Sequence, residues 1–245
     1  MNELKIADYL KDNYKDYYEE GDSEWRRLCA FAKANNIVSL CHDLPRSAIL
    51  EIGAGEGSIL KRLDELHFGD ELSALEISPS GAETIKAKKI SRLAECKTYD
   101  GYHVPYDNDK FDIAIMSHVI EHVEHPRQLL YEASRVAQYV FIEVPLEDTI
   151  RLPGDFVFDS VGHINFYSPK TIRQLVQSCN LQVRGQITTN LPKEAYTFEK
   201  GPKGLINYYI KEVLINTLPR LATELFSYHG ALVCERNDAP NKSSL

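Results

Sequence analysis

Short, nearly continuous apolar runs alternate along the middle of the chain with segments whose apolar positions recur at helical spacing. SAILEIG (47–53), LSALEIS (72–78), AECKTYD (94–100), FDIAIMS (111–117) and QYVFIEVP (138–145) are predicted strands. Between them, SILKRLDEL (58–66), SGAETIKAKKIS (80–91) and HPRQLLYEASRVA (125–137) are predicted helices. This alternation predicts a doubly wound α/β fold, a parallel sheet covered by helices on both faces. Upstream, SEWRRLCAFAKANNIVSL (23–40) places Trp25, Leu28, Cys29, Phe31, Ala32 and Ile37 at helical intervals. Downstream come a helix opened by Ser168-Pro169, a strand LQVRGQIT (181–188), a helical stretch over 204–226 broken at Pro219, and a last strand YHGALVCER (228–236). The expectation is a single domain over 1–245. Its parts are N-terminal helices serving as cap and lid (1–44), a core (45–188), a helical insert (189–227) and the closing strand (228–236).

Composition narrows the class without naming it. The 245 residues are 43% hydrophobic and 26% charged, with a formal charge of −8. An acidic chain is a poor match for a nucleic-acid binder that works by neutralising phosphates. No apolar stretch reaches the length of a membrane span, and the polar opening MNELKIADYL has no secretory core. Cys29, Cys41, Cys96, Cys179 and Cys234 are odd in number and widely scattered, which predicts reduced thiols and a cytoplasmic setting.

The densest chemistry lies in ILEIGAGEGSIL (49–60), where Gly53, Gly55 and Gly57 follow the first strand and open a helix. Such a turn offers bare backbone N–H groups at the positive end of a helix. A P-loop needs lysine after its last glycine, and Ser58 stands there instead. A dinucleotide fingerprint places its third glycine five residues after the first, whereas here the spacing is GxGxG. Glu51 precedes the turn inside the strand end, and Glu76 closes the next strand, where its carboxylate can accept both hydroxyls of a ribose.

These residues resemble the first motif of class I S-adenosylmethionine-dependent methyltransferases, and the likeness continues. ALEIS is similar to the acidic strand end of the second motif, and YDGYHVPYDNDKFDIAIMSHVIEHVEHP resembles the family's later core. GHINFYSPKTIRQLVQSCNLQV is similar to the segment after strand five in its small-molecule, ubiquinone- and menaquinone-methyltransferase-like members. The resemblance covers about 47–185. It implies a Rossmann-like seven-stranded sheet with an antiparallel last strand, and S-adenosyl-L-methionine as cofactor. It further implies Gly53, Gly55 and Gly57 beneath the ribose and methionine, Glu51 near the ammonium, Glu76 on the ribose and Ile77 on the adenine. Asp100 and Gly101 would meet the adenine amine, Ser117 and His118 would line the methionine end, and Tyr18 would close over the cofactor.

Methyl transfer from a sulfonium is an in-line displacement that needs orientation, dehydration and in some cases a base. His118, His122 and His163 are the candidate catalytic residues, since imidazole accepts a proton near neutrality. HVIEH (118–122) also fits the HxxEH pattern of inverted zinc peptidases. It follows a strand directly and no third ligand appears on the expected downstream helix, so no metal is expected. The expected acceptor is an oxygen or nitrogen of a small molecule, with no nucleic-acid partner and a homodimer as the assembly to test. SHVI stands where N6-adenine enzymes carry (N/D)PP(Y/F). The rivals are methylation of a peptide or protein nitrogen, a non-catalytic cofactor-binding module, and a nicotinamide-dependent oxidoreductase.

Overall fold

The computed structural model describes residues 23–156 and 162–237. Strands β1 (Ala48–Ile52), β2 (Glu71–Glu76), β3 (Leu93–Thr98), β4 (Phe111–Ser117), β5 (Ala137–Leu146), β6 (Leu181–Thr189) and β7 (Tyr228–Arg236) form one sheet. Their order is β3-β2-β1-β4-β5-β7-β6. The first five strands pair in parallel, and β7 runs antiparallel to both β5 and β6. The strand order reverses between β1 and β4, and in open α/β sheets ligands bind beyond the strand C-termini at that crevice.

Alternation within each strand builds two cores. Leu50, Ile52, Ala114, Met116, Val140 and Ile142 face one side, where α4 (Pro126–Val136) and α5 (Pro169–Ser178) bury Leu129, Leu130, Ala133, Ile172 and Val176. Ile49, Leu72, Ala74, Ile113, Ile115 and Phe141 face the other side. That side is covered by α1 (Ser23–Cys41), α2 (Ser58–Glu65) and α3 (Pro79–Ala87). On α1 the buried positions Ala30, Ala34, Ile37 and Cys41 recur at helical spacing and fix the face it presents.

The predicted elements recur with small, explicable shifts. The helix expected over 80–91 ends at Ala87, because Lys88 turns extended and sends its ammonium back to the Glu56 carbonyl at 2.8 Å. The stretch broken at Pro219 is two helices, α7 (Gly204–Thr217) and α8 (Pro219–Leu225). A further helix, α6 (Lys193–Lys200), packs against α7 and touches α1. No helix among the described residues is long and apolar enough to cross a membrane. All five cysteines are free thiols, four of them buried.

One polar contact ties α1 to the sheet. Asn36 donates through Nδ2 to the fully buried Glu143 of β5 at 2.8 Å and to the Thr189 hydroxyl of β6 at 3.0 Å. Removing a donor from a buried carboxylate is destabilising, because desolvation of the acceptor is then unmatched. Asn36→Ala is expected to lower stability by about 1–3 kcal/mol, read as an earlier midpoint in urea with an unchanged slope.

Candidate functional site

The loop leaving β1 is shaped by three left-handed glycines, with φ of 74° at Gly53, 58° at Gly55 and 77° at Gly57. Its entry is pinned by Gly53 N–H and Ala54 N–H, both donating to the Leu75 carbonyl of β2. Gly55 N–H donates to Glu76 Oε2 at 2.7 Å, while Glu76 Oε1 accepts from Ser78 N–H at 2.9 Å. A Cβ on Gly53 would fall 2.6 Å from Val119 Cγ2, and one on Gly57 would fall 2.9 Å from Ile85 Cγ1. The loop is therefore packed between the β4 turn and α3.

Beside this loop, at the C-terminal tips of β1, β4 and β5, lies a cavity of about 390 Å³. It is lined by Glu51, Gly53 and Gly55, by Ser117, His118, His122 and His163, and by Glu147 and His229. Trp25 of α1 stands in its wall, with its ring centroid 6.2 Å from that of Phe198. Glu56 secures the rim through ion pairs with Arg26 and Lys88, both at 3.3 Å.

The sequence-derived set divides in two. Glu51, Gly53, Gly55, Ser117, His118, His122 and His163 meet in the cavity, whereas Gly57, Glu76, Ile77, Asp100 and Gly101 are not part of its lining. Asp100 lies past the end of β3 and organises its own turn: Oδ1 accepts from Tyr102 and His103 N–H, and Oδ2 meets His103 Nδ1 at 2.6 Å. His125 precedes α4 without a side-chain cap and sets its ring against Tyr102. Tyr18 lies outside the described residues.

Two carboxylates at the strand tips are unusual. Glu51 is 2% exposed and its Oε2 makes no hydrogen bond among the described residues. Burial pushes its pKa up to about 8, an effect that Lys33 opposes and Glu76 reinforces. Burial likewise raises Glu76 to about 7, against the N–H groups of Ser78, Gly55 and Ile77.

A histidine cluster forms the far wall, and part of it escaped sequence reasoning. His118 has a left-handed φ of 58°, rare for a side chain of this size, and its N–H donates to the Glu143 carbonyl. That backbone aims the ring between two fully buried carboxylates: Nδ1 is 3.2 Å from Glu121 Oε1, and Nε2 is 3.5 Å from Glu143 Oε1. His229, brought opposite Pro145 by the β5–β7 register, places Nδ1 at 3.2 Å from Glu143 Oε1. Burial lowers His229 to about 4; burial also raises Glu143, but its bonds to His118 and His229 outweigh that and hold it well below the usual range. A neutral His229 that donates Nδ1–H to an ionised Glu143 satisfies both directions. Glu143 had a sequence signal, a lone acid inside the apolar run QYVFIEVP, whereas His229 had none before its register was known.

A seven-stranded sheet with one antiparallel strand, a glycine turn after β1 and acids ending β1 and β2 define a Rossmann-like cofactor-binding protein. The family described as "Methyltransferase domain" matches residues 19–186, and the chain belongs to it. The chain is 27% identical over 138 residues to an uncharacterized protein of Methanocaldococcus jannaschii, covering 54% of this chain and 56% of that one. It thus spans little more than half the length of that curated relative.

Three solved structures share the fold. One is a chain of the Haloferax volcanii complex between the Trm112 methyltransferase activator and a methyltransferase (TM-score 0.65, 14% identity, 94% of this chain and 99% of that one). Another is a SAM-dependent methyltransferase of Thermotoga maritima (TM-score 0.58, 16%, 93% and 100%). The third is magnesium protoporphyrin IX methyltransferase of Synechocystis PCC 6803 with bound SAH (TM-score 0.59, 14%, 94% and 97%). S-adenosylmethionine is the cofactor of this family. The residues present fit it: an ammonium-bearing ligand suits the buried, incompletely bonded Glu51, and Gly53 and Gly55 line the cavity beside it without side chains.

The raised Glu51 has a stability consequence. Its carboxyl titrates at 4.5 when unfolded and at about 8 when folded, so the folded chain holds the extra proton across that interval. Its contribution is fully present below the unfolded value and is lost as pH rises through about 8. Glu51→Gln is expected to melt roughly 2–5 °C above the native chain at slightly alkaline pH. Near pH 4.5 the two are expected to melt alike. Thermal melts across that range check it.

Proposed function

We propose that this protein transfers the methyl group of S-adenosylmethionine to an oxygen or nitrogen of a small-molecule acceptor, and that residues 1–245 act as one catalytic domain. The observation that carries the reading is the continuity of a single cavity from the Glu51–Gly55 loop to the histidine wall. A donor site and an acceptor site within reach of each other are what an in-line displacement requires. Bound S-adenosylmethionine supplies an electrophilic methyl carbon on a sulfonium.

In this reading Glu51 takes the ammonium, the glycine turn lies beneath the ribose and methionine, and Ser117 and His118 flank the methionine end. Glu76 still has acceptor capacity on both oxygens for the ribose hydroxyls, with Ile77, Asp100 and Gly101 beside the adenine. The cavity residues would orient the acceptor's lone pair toward that carbon, in line with the carbon–sulfur bond that would break. His118 receives the acceptor's proton, and Glu121 and Glu143 at 3.2 and 3.5 Å stabilise the imidazolium. Helix α1 and the 189–227 insert, whose Leu191 lines the cavity, form the lid that excludes water.

Calorimetry with S-adenosylhomocysteine and with NADH tests the cofactor half. Binding of the first and not the second is expected, with affinity rising with pH through about 8 as Glu51 ionises. Glu51→Gln is expected to weaken binding by about 1.5–3 kcal/mol and to flatten that pH dependence. His118→Asn is expected to lower kcat by about 10²-fold or more on whichever acceptor a panel of hydroxyl and amine metabolites and peptides reveals. Binding without turnover on the whole panel would favour a cofactor-binding module, and turnover on peptides alone would move the acceptor class.

A further inference from the structure

Behind the cavity lining, Glu121 meets His122 and His163 in a second arrangement. Glu121 is fully buried, and beyond the His118 Nδ1 contact at 3.2 Å neither of its carboxylate oxygens has a hydrogen-bond partner among the described residues. A buried ionised carboxylate with a single imidazole contact has further acceptor capacity that a cation would satisfy. Ligand atoms of Glu121, His122 and His163 all lie within 4.8 Å of one another, and His122 Nε2 is 3.9 Å from Glu121 Oε1. A tetrahedral ion with bonds near 2.0–2.1 Å needs ligand atoms roughly 3.3 Å apart, which small side-chain rotations supply.

The outer contacts of the two histidines point the same way. His122 Nδ1 lies 3.2 Å from the Gly162 carbonyl, an acceptor only, so Nδ1 carries the proton and Nε2 the lone pair. His163 Nδ1 lies 2.7 Å from Glu147 Oε2, which assigns the same tautomer. Metal-ligating histidines are characteristically oriented by just such a carbonyl or carboxylate on the second ring nitrogen. The rings stand edge to face, with centroids 4.8 Å apart. Their backbones are held together too. Ile164 and Asn165 N–H both donate to the Glu121 carbonyl, and the Asn165 amide bridges the Ile120 and Val123 carbonyls. The third ligand thus comes from the loop after β5 rather than from a helix.

We infer that Glu121, His122 and His163 bind a divalent transition-metal ion of the zinc or manganese type, departing from the metal-free expectation of the sequence. Two imidazoles and one carboxylate suit these ions and leave a position open toward the cavity. The inference rests on the methyltransferase reading for its consequence: the acceptor is a hydroxyl compound whose oxygen occupies that position. Coordination lowers the hydroxyl pKa, and the proton passes to His118. The oxygen then bonds to the methyl carbon as the carbon–sulfur bond breaks.

Cobalt(II) titration of chelator-treated full-length protein, followed by visible d–d absorption and by calorimetry, tests the site. One equivalent is expected to bind, displaceable by zinc, without the intense near-ultraviolet bands of thiolate ligation. The double variant His122→Asn, His163→Asn is expected to lose affinity by at least about 100-fold, and Glu147→Gln by about 10- to 100-fold through the orientation of His163. Metal-free melting temperatures near that of the native protein establish that the variants fold, with Glu121→Gln as a near-isosteric second route to the same loss. No stoichiometric uptake by the native protein, or unchanged uptake by both the double variant and Glu121→Gln, overturns the site. S-adenosylhomocysteine binding by the metal-free native protein is measured in parallel. Its failure alongside intact cobalt binding would remove the methyltransferase reading and leave the metal site standing.

Discussion

The turn after β1 depends on a buried carboxylate meeting a bare backbone. Glu76, ending β2, reaches sideways to the N–H of Gly55, while the Leu75 carbonyl beside it takes the N–H groups of Gly53 and Ala54. The three glycines can follow that path because each adopts a left-handed φ that most side chains resist. Everything on the donor side, from the exposed backbone to the start of α2, is positioned by the junction of these two neighbouring strand ends.

Much of this was legible in the sequence because the relevant physics is local. Doubly buried strands are continuous apolar runs, amphipathic helices have a period, and an acid ending such a run is conspicuous, as with Glu51 and Glu76. The helix α6 was not legible: KEAYTFEK is mostly polar, and it is fixed by packing on α7 rather than by its own pattern. The apolar pattern extends the third strand to Asp100, whose adenine contact only the resemblance implies, whereas β3 stops at Thr98 and leaves that carboxylate to its own turn.

The histidine wall shows the limit more sharply. His118, His122 and His163 stand in segments that sequence reasoning could single out. Their partners Glu143, Glu147 and His229 come from β5, the loop after it and β7, and only strand register and the folding of 162–167 onto 118–123 bring them together. Such pairings depend on the ends of distant elements meeting, and no local period encodes that.

Val119 ties the glycine loop to the turn after β4. Its Cγ2 occupies the space where a side chain on Gly53 would begin, and the residue before it, His118, lines the cavity. Loop and turn are therefore packed as one unit: enlarging either Gly53 or Val119 displaces the other, and the strain is felt on both the bare backbone and the histidine beside it.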